Sequence, residues 1–243
     1  MTSTDAGSVA KGRADPAVSA LRLITLGEGR LVRHDGAGEQ VLYDGPTKSL
    51  ALFAYLACAP GRGATRAHLQ DLLWERHGTE GAQGALRTYL WKLRKLLGAD
   101  AIVGDEYLLL AIPCDVDRDR LLEAADRGDA ESVVAMYTGG FFPDFAQPDG
   151  QQFDLWVQSE RLRLHGIFSR CAERVVSSAV DNGRFREALS VARRLRDTDP
   201  LNETGWRLLL NVLIVSGDTL NASNEAAVLE RLLAADEREP LPA

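Results

Sequence analysis

The spacing of apolar positions along the chain changes once, from short alternating runs to a helical period. Runs at 21–26 and 31–33 are split by Gly27 and Gly29. A second turn, His34-Asp35-Gly36-Ala37-Gly38, leads to Val41-Leu42-Tyr43 and then Asp44-Gly45-Pro46. Short β-prone runs closed by Gly, Asp and Pro predict a small antiparallel meander. From Thr47 onward Leu50, Phe53, Ala54 and Ala57 fall at i, i+3, i+4 and i+7, behind a threonine suited to cap a first turn. Pro60, Gly61 and Gly63 end that helix. Thr65 heads a second, shorter one with Leu69, Leu72 and Leu73 on one face, closing at Trp74.

Gly78-Thr79-Glu80-Gly81-Ala82-Gln83-Gly84 reads as a flexible turn. It is Gly-rich ahead of a helix, but it has an acid and lacks both the preceding strand and the lysine of a phosphate loop. The third helix, taken as 80–97, repeats leucine at 86, 90, 93 and 97, and Gly98 is its stop. Ala101-Ile102-Val103, Gly104-Asp105-Glu106 and 107–112 then predict a hairpin that Pro113 ends. Strands, three helices and a hairpin, in that order, make a winged helix-turn-helix.

Beyond Cys114 the spacing is helical, with no strand signal. It is broken at Gly128, Gly139-Gly140, Pro143, Pro148-Asp149-Gly150, Gly183, Pro200 and Gly217. Gly183/Gly217, Ala188/Ala222, Ala192/Ala226 and Leu195/Leu229 are identical pairs at an offset of 34, the period of tetratricopeptide repeats. The expected fold is therefore mainly α. A winged helix-turn-helix (α+β) over 20–113 precedes an all-α tetratricopeptide-like domain over 114–243. A disordered tail is expected at 1–19, which is rich in Ser, Ala, Gly, Asp and Thr and has no apolar stretch of signal-peptide type. The helical period stops at Pro240-Leu241-Pro242-Ala243, which leaves room for a further domain in a longer natural chain.

With 243 residues both domains can bury a core. The longest apolar run, 50–59, is ten residues, too short to cross a bilayer. Cys58, Cys114 and Cys171 are odd in number and lie in or beside apolar runs, which predicts buried free thiols, a reducing cytoplasm and no membrane contact. His34, His68, His77 and His165 are scattered surface residues, none at metal-ligand spacing, and no GxSxG or Walker A sequence occurs. No catalytic residue, metal or cofactor is expected.

Charge placement sharpens the picture. The net charge is −7, but residues 20–113 hold 11 Lys/Arg against 10 Asp/Glu, while 114–243 hold 15 against 23. If the four leucines of the third helix face inward, Thr88, Trp91 and Lys95 lie opposite, flanked by Arg87, Lys92 and Arg94. The segment 84–97 carries no acid. A helix that is apolar inside and basic outside fits a major groove, with Arg87, Thr88 and Trp91 reaching base edges and the other cations neutralising phosphate. Taken alone, such a helix is more often a solvated face; its position after a helix and a turn favours DNA contact. Trp91, opposite the core, needs a partner. Arg193, Arg194 and Arg196 read as a solvated face paired with Asp197 and Asp199.

The segments Thr65-Arg66-Ala67-His68-Leu69-Gln70-Asp71-Leu72-Leu73-Trp74 and Ala85-Leu86-Arg87-Thr88-Tyr89-Leu90-Trp91-Lys92-Leu93-Arg94-Lys95-Leu96-Leu97 carry a family resemblance. So do Gly139-Gly140-Phe141-Phe142-Pro143-Asp144-Phe145, Phe153-Asp154-Leu155-Trp156-Val157 with Glu160-Arg161-Leu162-Arg163-Leu164, and Asp199-Pro200-Leu201-Asn202-Glu203. In that order they resemble the Streptomyces antibiotic regulatory protein (SARP) family, which joins an OmpR-type winged helix to a bacterial transcriptional activator domain. The resemblance implies a DNA-binding transcriptional regulator, usually an activator, that binds double-stranded DNA as a homodimer and contacts RNA polymerase. It implies DNA contact by Arg87, Thr88, Trp91, Lys92, Arg94 and Lys95, and by Arg66 on the second helix. It also implies a polymerase-facing loop at Glu75, Arg76 and His77. Two features depart from the family. Asp105 and Glu106 put carboxylates in a wing that is usually basic, which opposes phosphate. The last repeat, 219–236, lacks the aromatic residue often found there. The acidic wing keeps a second reading open: a tetratricopeptide-type interaction scaffold whose winged helix has lost DNA binding.

Overall fold

The computed structural model describes residues 20–35, 38–146 and 150–236. The expectations for 1–19, for the Gly36-Ala37 turn tip, for Pro148-Asp149 and for 240–243 lie outside the described residues. Strands β1 (Ala20–Ile24), β2 (Arg30–Asp35) and β3 (Gly38–Asp44) form the expected meander, with Leu23 opposite Leu31 and both fully buried. A fourth strand, β7 (Cys114–Val116), pairs in parallel with β1 and gives the sheet order β3-β2-β1-β7. No strand was expected beyond Cys114. Three residues are too few to show an alternation, and what makes them a strand is the free edge of β1.

Helix α1 (Lys48–Cys58) is capped as read, Thr47 Oγ1 accepting from the Leu50 N–H at 3.2 Å. From Ser49 to Cys58 only Tyr55 escapes full burial, so the helix is enclosed well beyond its one apolar stripe. A second sheet, β4-β6-β5, comprises β4 (Gly63–Thr65), β5 (Ile102–Val103) and β6 (Tyr107–Leu110). The hairpin β5–β6 is the predicted wing. Strand β4 is a correction: Gly63 is more than a helix terminator, because a Cβ there would sit 2.5 Å from the Tyr107 ring. Only glycine allows that approach.

Helix α2 (Arg66–Trp74) begins at Thr65, whose hydroxyl accepts from the His68 N–H at 3.2 Å. Helix α3 spans Thr79–Leu97, so residues 79–84 are helical and the predicted flexible turn shrinks to the link 75–78. Two glycines in that stretch each weaken a helix by about 1 kcal/mol. Ala82, buried beneath them, anchors the stretch in the core. Leu86, Leu90 and Leu93 are buried as predicted, and Leu97 is half-buried. At the C-terminus the Arg33 guanidinium of β2 donates to the Leu96 carbonyl at 2.9 Å.

The remainder is helical: α4 (Asp117–Asp126), α5 (Ala130–Met136), α6 (Gln151–Asp181), α7 (Phe185–Thr198), α8 (Glu203–Val215) and α9 (Thr219–Asp236). They form three hairpins closed alike. Gly128, Gly183 and Gly217 take φ of +73°, +69° and +79°, which glycine adopts without penalty. In each, the next N–H reaches back to a helix carbonyl: Asp129 to Ala124 at 2.9 Å, Arg184 to Ala179 at 2.7 Å and Asp218 to Leu213 at 2.9 Å. The 34-residue match marks the second and third closures. The first escapes it because α6 runs 31 residues.

The α7–α8 crossing is tight: a Cβ on Gly205 would lie 2.7 Å from the Arg196 Cα. Gly205→Ala is expected to destabilise by about 1–3 kcal/mol through overpacking. In contrast, Gly166→Ala within α6 should stabilise by about 0.5–1 kcal/mol, since its nearest new neighbour is the Arg170 side chain at 3.5 Å. Urea unfolding of the pair checks both signs.

Three further expectations need correcting. Arg194 and Arg196 are half-buried rather than solvated. Arg194 donates to the Val134 carbonyl and lies 5.4 Å over the Phe168 ring. Arg196 pairs with Asp197, as expected, and also with Glu225 at 2.7 Å, and lies over Trp206. His165 is not a surface residue: its side chain is 17% exposed beside Tyr137 and Phe168, and Asp199 pairs with it rather than with the arginines. Cys58 and Cys171 are buried but Cys114 is half-buried; all three are free thiols. Burial nevertheless pushes the Cys114 thiol up to about 12 and raises Cys58 and Cys171 as well. Iodoacetamide at pH 8 should therefore label the folded protein slowly and the unfolded chain fully, as read by mass spectrometry.

Candidate nucleic-acid interface

The outer side of α3 presents Arg87, Thr88, Trp91, Lys92 and Lys95, all exposed, and Arg94 at its half-buried edge. Trp91 is 60% exposed, and the partner it meets is Lys95, whose Nζ stands 5.0 Å from the ring. Lys92 Nζ lies 4.7 Å over Tyr89, and Tyr89 leans on buried Trp74 of α2 at 5.5 Å. Thr88 Oγ1 donates to the Gly84 carbonyl at 3.0 Å, which commits the hydroxyl to the helix and leaves the methyl as its contact group.

Two of the arginines expected at DNA are hydrogen-bonded to the wing. Arg94 Nε donates to the Ile102 carbonyl at 2.9 Å and fastens α3 to the wing. Arg66 Nε donates to the Asp105 carbonyl at 2.5 Å, and its guanidinium lies 3.8 Å from the Asp105 carboxylate. One of the two wing acids therefore has a cation beside it. Glu106 meets none among the described residues. Of Arg66, Arg87, Lys92, Arg94 and Lys95, Arg87 alone has no partner among the described residues.

Between α2, α3 and the wing runs a groove of about 500 Å³, walled by Arg66, Gln70, Gln83, Arg87 and Arg94, with Asp105 and Glu106 at its lip. Gln70 and Gln83 were missed in the sequence, although each stands one helical turn from a predicted arginine: Gln70 follows Arg66 and Gln83 precedes Arg87. Their side-chain amides suit base edges as well as a guanidinium does. Glu75, Arg76 and His77 are exposed on the α2–α3 link.

Helix α6 braces this head from behind. Trp156 meets Tyr55 edge-on at 5.0 Å, and the Tyr55 hydroxyl lies 2.6 Å from His68 Nε2 on α2. Helix α4 joins the two halves. The Asp117 carboxylate accepts from the Thr25 N–H and hydroxyl and from the Leu26 and Arg118 N–H groups, at 2.6–3.0 Å. Arg118 donates to Glu160 of α6 at 2.8 Å and to the Cys58 carbonyl of α1 at 3.3 Å. Among the described residues no cluster of three or more His, Cys, Asp or Glu could hold a metal, and no helix is long and apolar enough to cross a membrane.

The architecture is thus a winged helix-turn-helix braced on helical hairpins. A family model for the bacterial transcriptional activator domain matches residues 116–242. The chain belongs to that family. Among curated relatives it is similar to the regulatory protein AfsR of Streptomyces griseus, 28% identical over 231 residues, covering 88% of this chain and 23% of that protein. AfsR of Streptomyces coelicolor is 29% identical over 230 residues, covering 88% and 22%. The chain thus spans less than a quarter of the length of these relatives. Among solved structures it shares its fold with Mycobacterium tuberculosis EmbR in complex with a low-affinity phosphopeptide. The TM-score is 0.63 at 21% identity, covering 90% of this chain and 61% of that one.

Proposed function

We propose that this chain binds double-stranded DNA with sequence preference by laying α3 in a major groove, and that it activates transcription. The single observation that carries this reading is the outward side of α3. Arg87, Lys92, Lys95 and Trp91 are exposed, Leu86, Leu90 and Leu93 are buried, and the helix's only acid, Glu80, stands in the first turn. Arg87, unpartnered beside Gln83, is assigned to a base edge, and Lys92 and Lys95 to phosphate. Arg66 and Arg94 hold the wing, a narrower role than the DNA contact expected of them. The helical hairpins serve self-association as a homodimer or contact with RNA polymerase, with Glu75, Arg76 and His77 on the face available to polymerase.

The test is selection of bound fragments from a genomic pool at two salt concentrations. The parent should enrich discrete sites, and affinity should fall steeply with salt. Arg87→Ala should cost about 1–3 kcal/mol and relax the preference at one base pair. Lys92→Ala should weaken all sequences alike and lower the salt slope by about 1. Glu106, a carboxylate with no cation beside it among the described residues and at the lip of the groove, favours the alternative of a scaffold that does not read DNA. Enrichment of nothing at low salt would establish that alternative and end this one.

A further inference from the structure

A second groove, of about 680 Å³, lies between the 138–140 loop and α7, away from α3. The helical part of the chain is acidic, with 15 Lys/Arg against 23 Asp/Glu over 114–243, yet this groove is basic. Arg186 and Arg193 line it, both exposed, and neither has an ion pair, hydrogen bond or ring partner among the described residues. Other arginines nearby are taken: Arg184 by Glu187 at 2.9 Å, and Arg196 by Asp197 and Glu225. The Arg196 pair also engages Asp197, which itself lines the groove. Ser190 stands between the free arginines on the same helix face. Across from them the Gly139 and Gly140 N–H groups meet no acceptor among the described residues, and a Cβ on Gly140 would enter open space. Arg194 lines the same wall, and its buried Nε also lacks a partner.

The free guanidinium and glycine N–H groups here only donate, and the Ser190 hydroxyl can donate as well. Arg186 and Arg193 lie seven residues apart on α7, about 10 Å, and the lining residues on that helix run to Thr198, about 18 Å. That length exceeds a single small anion and suits an elongated one. Half-buried Leu189 adds an apolar floor, which suits a peptide side chain better than a nucleic acid backbone.

We propose that this groove docks an acidic segment of a partner protein, with two carboxylates about 10 Å apart pairing with Arg186 and Arg193 and main-chain oxygens meeting the glycine N–H groups. The inference is independent of DNA reading by α3, and its test leaves α3 intact. The probe is a fluorescein-labelled decapeptide of alternating Glu and Leu, titrated by anisotropy against the full chain, beside the matching Lys-Leu peptide and a labelled random duplex. The acidic peptide is expected to bind in a salt-sensitive way and the basic one not at all. Arg186→Glu with Arg193→Glu should weaken the acidic peptide at least tenfold while circular dichroism and duplex binding stay at parent level. Gly140→Pro, which deletes one N–H, should weaken it less. Equal binding of both peptides, or an unchanged affinity in the charge-reversed variant, would overturn the proposal. So would loss of duplex binding in that variant, which would make the groove a nucleic acid contact instead.

Discussion

Glu160→Ala is expected to destabilise the chain by about 3–5 kcal/mol, a large effect for one residue, because it strands a buried guanidinium. The side chains of Arg118 and Glu160 are each 11% exposed and 2.8 Å apart. Burial works against the Arg118 charge, yet its neighbours together, Glu160 foremost with Cys58 and Asp119, hold the guanidinium above its ordinary pKa. Removing the carboxylate leaves, among the described residues, one acid beside the guanidinium, Asp119 on its own helix, and the Cys58 carbonyl. Urea denaturation monitored by tryptophan fluorescence measures the change. The double variant Arg118→Met/Glu160→Leu should lose less than Glu160→Ala, since desolvation disappears along with attraction. A double variant worse than the single would refute this account.

Asp117→Ala should be of similar size, on the order of 3–5 kcal/mol, for another reason. The carboxylate accepts four donors from three residues, two of them main-chain N–H groups at the end of β1. Thr25 is fully buried, so its N–H cannot turn to water once the acceptor is gone, and each orphaned donor costs about 1–3 kcal/mol. Asp117→Asn keeps an acceptor oxygen and should lose distinctly less. Amide hydrogen exchange at Thr25 and Leu26 should quicken in the alanine variant before exchange in α7 or α8 does. Uniform acceleration across the chain would refute the local account.

Sequence periodicity was most informative where a helix buries one face. Leu86, Leu90 and Leu93 gave the orientation of α3, and hence its exposed residues, correctly. Thr47 and Thr65 gave both caps. It failed where partners are remote. Strands β4 and β7 are three residues each and owe their form to β6 and β1, far along the chain. Glycines at 81 and 84 argued for a turn, but burial of Ala82 prevailed. At the interface, charge and spacing identified the basic face, yet not which cations are already used. The bonds of Arg94 to Ile102 and of Arg66 to Asp105 depend on where the wing folds. The same holds for Arg194 and Arg196, whose run of charge looked solvated and is instead laid across aromatic rings.

Strand β7 also bears on how the chain can be divided. Leu21 pairs with Cys114, so β1 must wait for the last of the head's residues before its outer edge is covered. A chain cut after Pro113, at the boundary the sequence suggests, would lose that strand and Asp117 together. It would leave β1 as a bare edge beside an uncapped turn, open to pairing with other chains. Extending the cut to Asp126 restores both. During synthesis the same dependence makes completion of the winged helix-turn-helix a late event, timed by the first residues of the helical part.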